Sequence, residues 1–103
     1  MEDRLRTLTE LAPVSVWSTD ANGVVTSVFG GPEPEAKVGK KVDILFSDYP
    51  DVVDYHRRAL SGESIKAVLE FRGTMFEAWY SPIRGAGGSV EGMFGVSIDV
   101  TVR

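Results

Sequence analysis

The chain has 103 residues, 43% hydrophobic and 25% charged, which is the balance of one ordinary globular domain and not of a disordered chain. With 15 acidic residues against 11 basic ones the formal net charge is -4, and no Lys/Arg cluster offers a surface to nucleic acid or an anionic membrane. No cysteine is present, so a disulfide framework, a thiolate nucleophile and a cysteine-held metal are excluded, and no apolar run reaches the roughly 18–20 residues that span a bilayer as a helix.

Met1-Glu2-Asp3-Arg4-Leu5 lacks the basic-then-apolar order of a signal peptide, which sets the expectation of a cytoplasmic protein. Residues 2–11 read as a short helix, because Leu5, Leu8 and Leu11 make one apolar stripe among polar neighbours. Pro13 ends that helix, dividing the chain into a helical segment 1–12 and a body 13–103. The stripe must be covered, either by the sheet of its own domain or by a second copy in a homodimer.

Two β-rich runs, Val14 to Thr19 and Val24 to Phe29, flank Asp20-Ala21-Asn22-Gly23 and spell a hairpin. Residues 30–47 lose regular period; short helical turns are expected there, with Val42, Leu45 and Phe46 facing inward. Residues 49–61 form the clearest helix, with Asp48 as its cap, Pro50 in its first turn and Gly62 as its stop. Its inner face is Val52, Val53, His56, Ala59 and Leu60. Three strands follow. Ile65, Ala67, Leu69 and Phe71 alternate with polar residues, and Phe76, Ala78 and Tyr80 oppose Met75, Glu77 and Trp79. In the last strand, Val90, Phe94, Val96 and Ile98 are expected on the inner face and Glu91, Met93, Ser97 and Asp99 on the outer one. The fold class is therefore α+β, a five-stranded antiparallel sheet with helices on one face.

Several strings resemble the PAS family of sensory domains: the opening hairpin Trp17-Ser-Thr-Asp20-Ala-Asn-Gly23, the helix end Arg57-Arg58-Ala59-Leu60-Ser61-Gly62-Glu63, and Tyr80-Ser81-Pro82-Ile83. Gly87 to Val96 has the spacing of the family's last hairpin, and Asp99-Val100-Thr101-Val102-Arg103 resembles its terminal string, where such modules hand over to an effector domain. Residues 30–38 depart from the pattern, being short and rich in Pro and Gly. The resemblance implies a non-enzymatic sensory or regulatory domain of a bacterial two-component or related signalling protein. A small ligand would sit between the sheet and the long helix, and its effect would pass to an attached effector.

On that reading the ligand is lined by Val42, Phe46, Val52 and His56 from the helical side and by Leu69, Phe71, Phe76, Tyr80, Phe94 and Val96 from the strands. Asp99, Thr101 and Arg103 would form the signal exit, with Asp99 and Arg103 paired. The alternative is a ligand-free dimerisation or docking module whose core these side chains simply fill. A third reading is a haem or flavin redox sensor, with His56 on iron or with Trp17, Trp79 or Tyr80 stacked on a flavin. The expected cofactor is none. No nucleophile elbow, His-Glu-x-x-His pair or phosphate loop is present, so neither catalytic residues nor a resident metal are expected.

Overall fold

The computed structural model describes residues 14–31 and 34–100; the expected helix over residues 2–11, together with Thr101 and Arg103, lies outside them. Eight elements follow in order: β1 (Val14–Asp20), β2 (Val25–Phe29), α1 (Pro34–Lys37), α2 (Val42–Leu45), α3 (Pro50–Leu60), β3 (Ile65–Phe71), β4 (Thr74–Arg84) and β5 (Val90–Asp99). The strands form one sheet in the order β2-β1-β5-β4-β3, every neighbouring pair antiparallel.

That order makes the site. β2 and β3 are consecutive in the chain yet lie at opposite edges of the sheet, so the segment joining them must cross its full width, roughly 19 Å for four inter-strand gaps. All three helices belong to this crossover and cover one face, while β5 returns to the centre of the sheet.

Local chemistry explains the punctuation. Asp20 closes the first hairpin by accepting hydrogen bonds on Oδ1 from the backbone N–H of Asn22 (2.9 Å) and of Val24 (3.0 Å). At the end of α3 the N–H of Gly62 reaches the carbonyl of Ala59 and that of Glu63 the carbonyl of Arg58, both at 3.0 Å. This reciprocal pair satisfies two orphan carbonyls and needs the left-handed backbone that Gly62 takes at φ 110°. The start of α3 differs from expectation. Tyr49, not Asp48, is the N-cap, without a side-chain cap bond. Pro50 in the first turn restricts the residue before it, and the Tyr49 side chain is committed elsewhere: its ring packs on Phe71 at 4.5 Å and its hydroxyl accepts the Arg72 N–H at 3.1 Å.

β3 and β4 are joined by two residues, Arg72 and Gly73, at φ 53° and 82°. Two successive positive φ values in a two-residue hairpin belong to a turn that strongly favours Asn-Gly. An arginine in the first position costs about 1 kcal/mol relative to a glycine.

In β5 the structure reverses the expected faces. Ala78 pairs with Ser97 and Tyr80 with Gly95, so Met93, Gly95, Ser97 and Asp99 share the helix-covered face. Met93 is fully buried, whereas Phe94 is 41% exposed on the opposite side. A period of two shows that a strand has two faces but not which one the helices cover, and here the more apolar set faces away from them. The core proper is Ala59, Ala78, Tyr80 and Met93, with Trp17, Tyr55 and Leu69 packed against it.

Candidate functional site

Between the sheet and the crossover lies a cavity of about 290 Å³. Its floor is read in rows across the strands. One row runs Val28, Trp17, Gly95, Tyr80, because Trp17 pairs with both Val28 and Gly95, and Gly95 with Tyr80, the glycine lying under the indole. The next row, Ser15, Ser97 and Ala78, holds only small side chains. Asp99 and Phe76 follow, and Thr74 with Phe71 closes the floor at the sheet's end. The roof is Leu45, Phe46 and Val52. The hollow exists because the middle row is small while the roof beyond it is held up by large side chains.

Apart from His56, the sequence-derived candidates divide into three groups. Phe46, Val52, Leu69, Phe71, Phe76 and Tyr80 line the cavity. Val42 is buried at 2% exposure but packs on the hairpin turn, where its Cγ2 stands 3.4 Å from the place a Cβ would occupy on Gly23. Phe94 and Val96 are corrected: both lie on the outer face, for the reason of register given above. Trp17, Val25, Val28, Ser15 and Ser97 also line the cavity, and the sequence does not mark them as lining residues, since a residue on the first hairpin or a serine in β5 has no local sign of facing a hollow. Asp99 also lines it, at the last position of β5.

His56 is fully buried one layer behind the lining. Its ring stacks on Phe46 at 5.3 Å and meets Tyr80 edge-on at 5.1 Å. Nδ1 lies 2.7 Å from the Val52 carbonyl, and Nε2 accepts the Trp17 indole N–H at 3.0 Å. A carbonyl only accepts and an indole N–H only donates, so the ring is neutral with its proton on Nδ1. Burial lowers its pKa from 6.5 to about 4, partly opposed by the Val52 carbonyl and by Asp43. Both nitrogens are committed, and binding to an iron would require breaking one of these bonds. The Tyr80 phenol is held well above its ordinary pKa by burial and by Tyr55.

Trp17 is the hinge of this arrangement. A Cβ on Gly95 would collide with its six-membered ring, so the glycine is what lets the indole lie flat across β5. One edge of the indole faces the cavity while its N–H holds the helix residue His56. Among the described residues, no group of three or more His, Asp or Glu side chains converges to hold a metal ion, and no helix is long and apolar enough to cross a membrane.

Neither a protein-family model nor a curated protein matches the sequence. Solved structures do match its fold. A PAS domain from Colwellia psychrerythraea aligns with a TM-score of 0.65 at 16% identity, covering 99% of this chain and 98% of that one. A sensory box sensor histidine kinase from Vibrio cholerae aligns at 0.62 and 20% identity, over 99% of this chain and 93% of that one. An RNA-binding light-oxygen-voltage receptor aligns at 0.70 and 19% identity, over 98% of this chain but 33% of the larger partner. The chain is a PAS-fold domain.

Proposed function

We propose that this domain is a sensory or regulatory module of a cytoplasmic signalling protein, which binds a small ligand between the sheet and α3 and passes the change to an attached effector. The observation that carries this reading is the cavity of about 290 Å³ floored by Ser15, Ser97 and Ala78 in a chain of only 103 residues. Walls around an unfilled hollow lose dispersion contacts, and a domain this small has little stability to spare. A bound molecule restores those contacts, and the roof, the indole of Trp17 and the exit residue Asp99 would each feel it. No step of chemistry is assigned to the domain itself.

The test is to purify the protein, record its absorption from the near ultraviolet to the red, then denature it and identify by mass spectrometry whatever is released. The companion variant is Ser97→Ile, which places a branched side chain in the hollow on a strand that tolerates it. The expected result is a small molecule, or a ligand-dependent rise in melting temperature, in the wild type that the variant lacks while keeping the same circular dichroism spectrum. A wild type that carries and binds nothing, together with a variant that melts higher, would identify the hollow as a packing defect and sink the reading. A Soret band would instead bring back the haem sensor, against the present engagement of both His56 nitrogens.

The outer face of the sheet supports a second reading, docking or homodimerisation. Phe94, Val68 (62% exposed) and Met75 lie there beside the half-buried Trp79, Val96 and Ile98. An apolar patch of this kind marks an interaction surface more often than an idle one.

A further inference from the structure

We propose that the ligand is a small amphipathic carboxylate, its apolar body inside the cavity and its anionic head held at the mouth by Arg72; this rests on the reading of the cavity as a ligand site. The body is specified by the walls, where Trp17, Phe46, Val52, Leu69 and Phe76 present almost only carbon. A volume of about 290 Å³ is the share of roughly ten liquid waters, which suits a chain of about eight carbons.

The head is specified by the mouth. Ser15 is the second residue of β1, Gly31 lies two residues beyond β2, Phe71 and Thr74 flank the turn of the second hairpin and Asp99 ends β5, so the cavity opens where these strand ends meet. Arg72 stands in that lining as a cation, on a chain whose net charge is -4. The guanidinium of Arg72 lies 5.2 Å over the Phe71 ring, on the rim, and among the described residues none of the ion pairs involves it. Its backbone adds the independent argument. The Arg72–Gly73 turn would be more stable with asparagine in the first position, and the one hydrogen bond Arg72 makes to Tyr49 comes from a main-chain N–H that any residue but proline supplies. An arginine at a turn position that favours asparagine points to a use for its charge.

The same observation supplies a test in which misfolding is not an escape. In a Trp79→Phe background, where Trp17 is the one remaining indole, octanoate and 1-octanol are titrated against tryptophan fluorescence in wild-type and Arg72→Asn proteins. Octanoate is expected to bind saturably and octanol at least about fivefold more weakly. Arg72→Asn is expected to raise the melting temperature while weakening octanoate about fivefold and leaving octanol unchanged. Octanol binding as well as octanoate, or unaltered octanoate binding in Arg72→Asn, overturns the carboxylate assignment but leaves the cavity a ligand site. Silence from both probes, with Ser97→Ile melting above the wild type, overturns both.

Discussion

At the scale of single residues, the bond from the Trp17 indole to His56 joins β1 to α3, and the burial of the imidazole between them keeps it neutral. It has a consequence for stability. The His56 pKa is about 4 in the folded protein against 6.5 in an unfolded chain, so between those values the unfolded state binds the extra proton and acid favours it. Stability is therefore full above about pH 6.5, falls as the pH drops towards about 4 and changes no further from this source below that, a total of about 3 kcal/mol. Urea titrations at a series of pH values should show this slope in the wild type and lose it in His56→Gln, whose amide cannot take up the proton. An equal slope in both proteins would place the acid sensitivity elsewhere. The helix position of His56 was legible from its spacing to Val52 and Ala59. Its partner was not, because Trp17 is 39 residues away and only the sheet brings it near.

At the scale of elements, boundaries written in backbone chemistry were readable and boundaries set by packing were not. Gly62 after Arg-Arg-Ala-Leu-Ser marks a helix end through the left-handed angle it must supply, and the structure places it there. Gly62→Ala should cost about 1–2 kcal/mol, measured by thermal or urea unfolding, from the strain of a Cβ at that φ. The terminal guanidinium of Arg84, 3.0 Å from where that Cβ would stand, can move aside and adds little. A loss below a few tenths of a kcal/mol would mean that the turn relaxes. Asp48 shows the opposite case: its type and position suit a cap, yet the helix starts on Tyr49 because that ring and hydroxyl brace the Arg72–Gly73 hairpin.

At the scale of the whole molecule, the sheet has two apolar faces and only one set of described helices. The crossover α1 to α3 covers the face of Trp17, Ala78 and Tyr80, leaving Phe94 and Val68 outward. If a second copy occupies that outer face, sedimentation should find a dimer at tens of micromolar, and Phe94→Lys should yield a monomer of unchanged melting temperature, since the side chain is already 41% exposed. A wild type that sediments as a monomer at that concentration would assign the face to another partner.

The amino-acid sequence by itself determined the five strands, the long helix, the hairpin turns and hence the PAS-like order, because alternation, glycine stops and Asp-x-Asn-Gly turns act over a few residues. It also placed six of the cavity's lining side chains: Val52, Leu69, Phe71, Phe76 and Tyr80 on elements whose period marks an inner face, and Phe46 in a stretch without one. Tertiary structure alone decided which face of β5 the helices cover, that Ser15, Ser97 and Ala78 fall in one row and leave a hollow, and that Trp17 meets His56. Each of these depends on register between strands distant in the chain, and a shift of one residue would exchange the faces without altering the local pattern from which the strands were read.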